Sequence, residues 1–299
     1  MKTLVTDIQR FCLTDGDGIR TTVFLKGCNM HCSWCHNPET IRPERELMLY
    51  RERCISCGKC FEVCPRGAHV VRDGAHIIDR DKCISCGKCA EVCYAEALTM
   101  CGREMTVEEI LSEVTEDKAY YERSGGGVTI SGGEVLCHVD FARELAAACR
   151  AAGIPVAIET NLSFPFERIK PLLLELSAVM CDVKLFDEAA HRAHTGLSNH
   201  TVLENIRLLD TLGIPFTVRT PLIPGVTDTE ENIAAIAAYL CGLKNLVRYE
   251  LLNFNPLGEG KYRGLDRENG FASERPLGEE RLAALRRAAK AAGVTVKIV

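Results

Sequence analysis

The sequence predicts an α/β protein built on a parallel sheet, with a small cysteine-rich domain inserted near its N-terminus. Two observations predict this class. Strand-like apolar runs alternate with amphipathic helical stretches along most of the chain, and one segment interrupts that alternation with an internal repeat. Repeated β–α units favour a parallel sheet, either open or closed into a barrel. In both forms the catalytic residues lie at the carboxyl ends of the strands.

Six strands and five helices are predicted outside the repeat. The strand-like runs are Thr22–Lys26, Val128–Ser131, Pro155–Thr160, Ala178–Lys184, Phe216–Thr220 and Val247–Asn253. The helices are predicted over 138–152, 167–176, 201–212, 229–242 and 278–292, where apolar residues recur at helical spacing. Gly153, Gly213 and Gly293 each follow a predicted helix, at the position where a C-terminal cap glycine is expected.

A repeat of cysteines marks the inserted domain, which we place at 50–102, between a first part of the main domain at 1–49 and its remainder at 103–299. Residues 54–65 and 83–94 share ten of twelve residues at an offset of 29, and a β-like run, Ala75–Ile78, lies between them. Each copy has the C-x2-C-x2-C-x3-C spacing of bacterial ferredoxins, in which the fourth cysteine ligates the other cluster. The predicted ligands are Cys54, Cys57, Cys60 and Cys93 for one [4Fe–4S] cluster, and Cys83, Cys86, Cys89 and Cys64 for the second. Zinc is the alternative, but zinc sites use two separated pairs of ligands.

A third group of cysteines directly follows the first predicted strand. Cys28, Cys32 and Cys35 form C-x3-C-x2-C, with no fourth cysteine at a ferredoxin-like interval. Three thiolates on a four-iron cluster leave one iron open for a substrate, as catalytic metal sites require. The alternative is a zinc site completed by His31 or His36. The other six cysteines are predicted to be small buried apolar residues: Cys12, Cys101, Cys137, Cys149, Cys181 and Cys241.

The composition of the 299 residues excludes several classes of protein. Apolar residues make up 46% and charged residues 26%, which is typical of a globular chain and not of a disordered one. A net charge of −5 gives no support for binding to nucleic acid or to an anionic membrane. No apolar run is long enough to span a bilayer, and the N-terminus does not resemble a secretory signal. We therefore expect a cytoplasmic location, where clustered thiols bind metals.

The residues around the third cysteine group resemble the signature of the enzymes that activate glycyl radical enzymes, within the radical S-adenosylmethionine (SAM) superfamily. The ordered matches are Gly16-Asp17-Gly18-Ile19-Arg20, Phe24, Gly27-Cys28, Cys35-His36-Asn37, Ser131-Gly132-Gly133-Glu134, Glu159-Thr160-Asn161, Asp182-Val183-Lys184, Gly196–His200, and Arg219 ahead of Ile223-Pro224-Gly225. The insert is similar to that of the longer members of this family, which carry two extra clusters. The resemblance therefore implies a partial (β/α)6 TIM-like barrel of the radical SAM type with an inserted bacterial-ferredoxin-like minidomain.

The resemblance implies an activating enzyme whose cofactors are S-adenosylmethionine and three [4Fe–4S] clusters, the catalytic cluster being held by Cys28, Cys32 and Cys35. Reductive cleavage of SAM at the open iron would give a 5′-deoxyadenosyl radical. This radical would remove a hydrogen from a glycine Cα in the C-terminal glycine loop of a partner glycyl radical enzyme, of the dehydratase, decarboxylase, or C–N or C–S lyase type. Reduced flavodoxin or ferredoxin would be the electron donor, and neither nucleic acid nor a membrane is expected as a partner.

The resemblance also implies cofactor contacts by residues at the ends of predicted strands: Gly132, Gly133, Glu134, Glu159, Thr160, Asp182, Lys184, Arg219 and Asn255. The glycine pair would let the backbone approach the methionine moiety, and Glu134 can meet its ammonium group. Glu159, Thr160 and Asp182 would help hold its carboxylate, with a bound monovalent cation as a further candidate. Asn255 stands where the pyruvate formate-lyase activators have histidine, which argues against that substrate.

Two other functions are open at this point. A radical SAM enzyme that acts on a small molecule or on another protein would share every cofactor motif, although the run Asp15–Arg20 and the insert argue against it. A ferredoxin-type electron carrier on an inert scaffold would leave the C-x3-C-x2-C and Gly-Gly-Glu motifs unexplained. The two insert clusters could relay electrons to the catalytic cluster or dock a partner. The direction of electron transfer depends on the cluster potentials, which burial and hydrogen bonding set. The sequence therefore leaves the role of the two clusters open, and it contains no pattern that indicates an oligomeric state.

Overall fold

The computed structural model describes residues 1–299 as one long sheet with connecting helices and a small insert. The strands are β1 (Lys2–Cys12), β2 (Arg20–Leu25), β3 (Glu46–Leu49), β4 (His69–Arg72), β5 (Ala75–Ile78), β6 (Leu98–Cys101), β7 (Arg103–Thr106), β8 (Gly127–Gly132), β9 (Val156–Thr160), β10 (Ala178–Asp182), β11 (Phe216–Leu222), β12 (Leu246–Asn253) and β13 (Val296–Ile298). The helices are α1 (Lys59–Val63), α2 (Lys88–Glu91), α3 (Val107–Thr115), α4 (Lys118–Ser124), α5 (Val139–Ala151), α6 (Phe166–Leu173), α7 (Glu188–Thr195), α8 (His200–Asp210), α9 (Glu230–Leu240), α10 (Glu259–Gly264) and α11 (Glu279–Lys290). None of these helices has the length and apolar character that crossing a bilayer requires.

Nine strands form a single sheet in the order β13-β12-β11-β10-β9-β8-β2-β1-β7. Strand β2 and the strands from β8 to β13 are parallel, whereas β1 pairs antiparallel with both β2 and β7. Repeated β–α units produce this sequential order, because each helix returns the chain to the same end of the sheet. Strands β7 and β13 are the two edges, so the sheet is an unclosed barrel. The predicted fold class is confirmed.

The hydrophobic core lies where the sheet meets its helices and contains 47 buried apolar residues. Helix α5 contributes Phe141, Leu145 and Cys149 from one face, at helical spacing. The strands contribute mainly β-branched residues such as Ile130 and Val179, which pack well on a pleated surface. This rigid layer supports the loops at the carboxyl ends of the strands.

The predicted strands and helices of the main domain all occur, with ends displaced by at most three residues. The main-domain elements that the pattern missed are β1, β3, β7, α3, α4, α7 and α10. Helix α3 begins with a capping box, in which the Thr106 hydroxyl accepts from the Glu109 amide and the Glu109 carboxylate accepts from the Thr106 amide. This signature was readable in the sequence, because Thr-x-x-Glu precedes an amphipathic run.

The insert repeats its backbone as well as its sequence. Ser56 and Ser85 have φ of 56° and 49°, and Gly58 and Gly87 have φ of 76° and 85°, just before α1 and α2. Glycine adopts this left-handed backbone without strain, which lets the chain turn sharply within each cysteine run. Strand β3 pairs antiparallel with β6, so the base of the insert begins at Glu46, four residues before the predicted boundary. The division into 1–49, 50–102 and 103–299 stays a prediction.

Asp266 joins the insert to the C-terminal part of the main domain. Its carboxylate accepts two hydrogen bonds from Arg80, at 2.9 and 2.7 Å, and pairs with Arg51. Arg80 also donates to the Gly264 carbonyl at 3.1 Å, at the end of α10. The position of the insert is thus fixed by contacts with residues more than 180 positions away in the chain.

The six scattered cysteines differ in exposure. Cys101, Cys149 and Cys181 are buried, and Cys12 and Cys137 are partly exposed. The prediction that all six are buried is wrong for Cys241, which is exposed. It lies just after the end of α9, where the apolar face of that helix stops at Leu240.

Candidate active site

A cavity of about 970 Å³ opens at the carboxyl ends of the parallel strands. It is lined by every catalytic or cofactor-binding residue predicted in the main domain: Cys28, Cys32, Cys35, Gly132, Gly133, Glu134, Glu159, Thr160, Asp182, Lys184, Arg219 and Asn255. The ends of β8, β9, β10 and β12 all contribute to its wall. The structure therefore brings together side chains that are up to 227 residues apart in the sequence.

The loop after β2 carries the three cysteines, and its start is held by backbone hydrogen bonds. The Gly27 amide donates to the Thr40 carbonyl at 2.7 Å, and the Cys28 amide donates to the Ile41 carbonyl at 2.9 Å. The Glu134 amide in turn donates to the Gly27 carbonyl at 2.8 Å, which joins the loop to the Gly-Gly-Glu turn. Local backbone pairing therefore fixes the first cysteine next to that turn.

The three cysteines of this loop are partly buried, and one cation, Lys184, lies nearby. Burial raises the pKa of Cys28 and that of Cys35 to about 12 each. Burial also raises the pKa of Cys32, while Lys184 opposes this shift. Burial by itself would lower the pKa of Lys184, but Asp182 at 2.6 Å and the thiols of Cys32 and Cys28 outweigh it. The metal-free thiols are thus protonated at neutral pH, and metal binding would release their protons.

The spacing of the three sulfur atoms disfavours zinc. Tetrahedral zinc, with Zn–S bonds of about 2.3 Å, would hold its sulfur ligands about 4 Å apart. In the whole chain, the only His, Cys, Asp or Glu ligand atoms found in a group of three within 4.8 Å of one another belong to Cys60, His69 and His76. His31 is exposed and lies outside the cavity wall, whereas His36 lines it. Three soft sulfur ligands spread around an open cavity fit an iron–sulfur cluster.

Glu134 is buried in the wall of the cavity, with only 1% of its surface exposed. Its carboxylate accepts hydrogen bonds from the Thr160 hydroxyl at 2.6 Å, the Asn161 amide at 2.7 Å and the Leu136 amide at 3.0 Å. Burial nevertheless raises its pKa to about 7. The side chain thereby ties the Gly-Gly-Glu turn to the end of β9.

Arg219 and Glu159 form a buried ion network that crosses β9, β11 and β12. Arg219 pairs with Glu159 through Nη1, donates from Nε to Glu250 at 2.9 Å and donates from Nη2 to the Thr14 carbonyl at 2.6 Å. The Ser131 hydroxyl donates to Glu159 at 2.5 Å. Burial raises the pKa of Glu159, and Arg219 opposes that shift. The three guanidinium nitrogens are all engaged, so Arg219 shapes the cavity by fixing its neighbours.

Asn255 lies at the rim of the cavity, beyond the end of β12. Its side-chain oxygen accepts from the Leu257 amide at 3.0 Å and caps the short helix Pro256–Gly258. The cap accounts for an asparagine at this position. Its predicted role in binding the cofactor stays a prediction.

Three further polar side chains secure the cysteine loop, and sequence reasoning gave them no role. Asn161 donates to the Asn29 oxygen at 3.0 Å, and Asn29 donates to the Ser163 hydroxyl at 2.7 Å. A role for Asn161 could have been predicted from the sequence, because this residue follows Glu159-Thr160 in the matched motif. A role for Asn29 could not have been predicted in this way, since its hydrogen-bond partner is 132 residues away in the chain. Asp7 and Gln9 of the unpredicted β1 also line the cavity.

The insert brings together the cysteines of one of the two predicted ligand sets. A small cavity of about 20 Å³ is lined by Cys64, Cys83, Cys86 and Cys89, which is the second predicted ligand set. Of the first set, Cys54, Cys60 and Cys93 pack against the apolar core of the insert, and Cys57 is exposed. Thiols from both halves of the repeat therefore surround one small space, as crossed ligation of two clusters requires.

Comparison with known families agrees with this geometry. Residues 87–237, half of the chain, match the Radical SAM superfamily. Residues 53–98 match a 4Fe-4S dicluster domain, and residues 14–63 match a 4Fe-4S single cluster domain that includes the C-x3-C-x2-C loop.

Full-length relatives narrow the assignment. The chain is 43% identical to the benzylsuccinate synthase activating enzyme of Thauera aromatica, covering 99% of this chain and 92% of that protein. It is 38% identical to the trans-4-hydroxy-L-proline dehydratase activating enzyme of Clostridioides difficile, covering 100% and 99%. The chain belongs to the glycyl radical enzyme activating enzymes of the radical SAM superfamily. A solved domain of a pyruvate-formate lyase-activating enzyme from Bacteroides vulgatus is 26% identical, with a TM-score of 0.50 over 58% of this chain and 99% of that domain.

Membership of this family settles the type of activity. The activating enzyme cleaves SAM with an iron–sulfur cluster and installs a glycyl radical in a partner enzyme. The two alternatives raised from the sequence, a different substrate for the radical chemistry and an inert ferredoxin scaffold, are set aside by the full-length match to activating enzymes.

Proposed function

We propose that Cys28, Cys32 and Cys35 hold a [4Fe–4S] cluster with one open iron, and that SAM binds at this iron in the cavity. The observation that carries this proposal is that the three cysteines and all nine predicted cofactor contacts line one cavity. When bound and reduced by one electron at its sulfonium, SAM supplies the hydrogen-abstracting chemistry of the superfamily, which here acts on a glycine Cα of the partner. The protein supplies orientation and exclusion of water.

The chain's own residues shape this site in distinct ways. Gly133 lets the turn after β8 approach the cysteine loop, since a Cβ there would lie 2.3 Å from the Gly27 carbonyl oxygen. Asp182 and Lys184 form a close ion pair next to Cys32, and Asp182 offers carboxylate oxygen to an ammonium group or to a monovalent cation. Glu134 holds two strand ends in register. The cation stays a prediction.

The size of the cavity supports a protein segment as the second substrate. Pockets for small ligands span about 300 to 1,000 Å³, so about 970 Å³ is at the upper limit for one small molecule. The cavity also extends beyond the predicted cofactor contacts to Asp7, Gln9, Thr14 and Asp15. This polar extension leaves room for an extended glycine-containing loop beside the cofactor.

The names of the relatives indicate several types of glycyl radical enzyme as the partner. Relatives at 38–43% identity are named for benzylsuccinate synthase, hydroxyproline dehydratase, isethionate sulfite-lyase and sulfopropanediol enzymes. These identities lie within five percentage points of one another, so they favour no single type of partner enzyme. The proposal is therefore a partner of the dehydratase, decarboxylase, or C–N or C–S lyase type, with the fumarate-adding type of benzylsuccinate synthase as an added candidate.

We assign two further [4Fe–4S] clusters to the insert and propose that they relay electrons from reduced flavodoxin or ferredoxin. Support for a relay comes from Met100 in β6. Its side chain packs against the cysteine-rich core of the insert, and the same residue lines the active-site cavity. Met100 thus lies between the cysteine-rich core of the insert and the cavity that the catalytic cysteines line.

Anaerobic electron paramagnetic resonance tests the proposed function. Reconstituted protein, reductant and SAM are mixed in turn with a panel of glycyl radical enzymes from the classes above, while 5′-deoxyadenosine is quantified. We expect a glycyl doublet with one partner and about twelve irons per chain, four for each cluster.

The matched controls are Cys32→Ala and Cys241→Ala. Cys32→Ala should abolish both the doublet and SAM cleavage, and Cys241→Ala, at the exposed end of α9, should change neither. Replacement of all three loop cysteines should lower the iron content to about eight. An iron-replete wild-type protein that fails to cleave SAM would refute the proposal.

A further inference from the structure

Two histidines of the β4–β5 hairpin lie against the first cysteine run of the insert. His76 Nδ1 is 3.8 Å from Cys54 Sγ, and His76 Nε2 is 3.9 Å from Cys60 Sγ. His69 Nδ1 is 2.9 Å from His76 Nε2. Nitrogen–sulfur separations below 4 Å allow N–H···S hydrogen bonds, so the hairpin places a donor beside two predicted ligands of one cluster.

The hydrogen bond between the two rings limits which nitrogen of His76 can carry a proton toward a cysteine sulfur. One ring must donate and the other must accept across the 2.9 Å contact. If His69 Nδ1–H donates to His76 Nε2, the neutral His76 carries its proton on Nδ1, which faces Cys54. This arrangement satisfies the contacts of His76 with His69 and with Cys54, using one proton on each histidine.

The surroundings keep this ring in place. Phe61 packs on both imidazoles, with ring centroids 5.7 Å from His69 and 5.2 Å from His76. His69 is buried, and the His76 carbonyl accepts from Arg51 Nε at 3.2 Å. Arg51 also pairs with Asp266, so the hairpin is joined to the main domain through the same side chain.

We infer that His76 is a positioning residue that donates an N–H···S hydrogen bond to Cys54 and raises the reduction potential of the cluster held by Cys54, Cys57, Cys60 and Cys93. The inference rests on the proposed function, because it requires that these cysteines hold a cluster. A donor to a ligand sulfur stabilises the reduced cluster more, since that form carries the additional negative charge. His69 fixes the orientation and proton position of the donor.

The repeat makes this donor a source of asymmetry between the two cluster sites. At an offset of 29, the β3–β6 pair is the counterpart of the β5–β4 pair, so the position equivalent to His76 is Leu47, which has no N–H or O–H donor. His76 does not line the small cavity of the second set, although His69 does. The two nearly identical cysteine runs are thereby given different surroundings, and the first cluster becomes the better electron acceptor.

The test is an EPR-monitored redox titration of the full reconstituted chain and of His76→Leu, which installs the residue found at the equivalent position of the repeat. We expect the equilibrium constant for reduction of one insert cluster to fall about tenfold, which lowers its reduction potential by about 59 mV for one electron. The reduction potential of the second insert cluster should not change. His76→Phe should give the same shift. His76→Gln, which keeps an N–H donor, should stay closer to the wild type.

The outcomes separate this inference from the proposed function. Unchanged potentials in fully loaded His76→Leu and His76→Phe would overturn it, while SAM cleavage by the wild type would leave the function intact. Loss of about four irons in both variants would also overturn it, because His76 would then be a ligand or a structural support. Zinc in place of iron in the wild-type insert would instead contradict the proposed cluster count.

Discussion

Glu134 is a carboxylic acid at a place where its charge is costly. The sequence identifies it as part of a Gly-Gly-Glu turn, and the structure shows that it is buried and accepts three hydrogen bonds. Burial raises its pKa from 4.5 to about 7 despite those bonds. The folded protein therefore binds this proton more tightly than the unfolded chain does.

This difference predicts a pH dependence of stability. The protonated Glu134 contributes about 3 kcal/mol to the free energy of unfolding below about pH 4.5. This contribution is lost as pH rises through about 7. Urea unfolding between pH 5.5 and 8 should show the wild type losing stability relative to Glu134→Gln as pH rises. Glu44→Gln, at an exposed position, is the control. Parallel curves for wild type and Glu134→Gln would contradict the assignment.

Arg219 illustrates a residue whose place was predicted and whose partners were not. Sequence reasoning placed it at the rim as a contact for cofactor or substrate, and it does line the cavity. The structure adds that it lies between Glu159 and Glu250. Its carboxylate partners come from β9 and β12, and only the parallel pairing of β11 with its neighbours brings them within reach.

At the scale of elements, the end of β8 depends on a glycine. A Cβ on Gly133 would lie 2.3 Å from the Gly27 carbonyl oxygen and 2.6 Å from the Thr40 carbonyl oxygen. Both are backbone atoms of the segment that carries the cysteine loop, so they cannot move without displacing Cys28. The glycine pair thus sets how closely β8 approaches that loop.

Gly133→Ala should therefore disturb the cysteine loop. We expect destabilisation of about 2 kcal/mol or more, as for other overpacked sites, and a loss of about four irons from the reconstituted protein. Gly270→Ala is the matched control, because a Cβ at Gly270 meets no atom within 4 Å. Equal stability and iron content of the two variants would show that the close approach has no such role.

The elements that escaped prediction share a physical cause. Strand β1 is half exposed along its length and pairs antiparallel, so it lacks the continuous apolar run of the buried parallel strands. Helix α7 is short, and its apolar residues are few. Strands β8 to β12 were predictable because their buried positions carry mainly apolar residues, such as Ile130, Val179 and Leu251.

At the scale of the whole molecule, the insert and the main domain are held in one arrangement. The ion pairs of Asp266 with Arg51 and Arg80 attach the insert to the C-terminal part of the main domain. Met100 packs against the cysteine-rich core of the insert and also lines the active-site cavity. Together these contacts favour electron transfer through the insert over a purely docking role.

A relay predicts a dependence on the electron donor. Cys57→Ser combined with Cys86→Ser should slow SAM cleavage at least about tenfold when reduced flavodoxin or ferredoxin supplies electrons. A small chemical reductant that enters the open cavity should restore most of the rate, because the C-x3-C-x2-C loop is intact. The measurement is the rate of 5′-deoxyadenosine formation with each donor. Full activity of the double variant with the protein donor would refute the relay.

The sequence by itself determined the fold class, the three cysteine groups and the family, because strand periodicity, ligand spacing and short motifs are local properties of the chain. Only the tertiary structure decided what these residues touch. It joined Arg219 to Glu159 and Glu250, Asn29 to Asn161, Asp266 to Arg80, and His76 to Cys54. Such contacts depend on strand register and on the docking of the insert. Hydrogen bonding and burial act over a few ångströms in space and leave no periodic trace in the sequence.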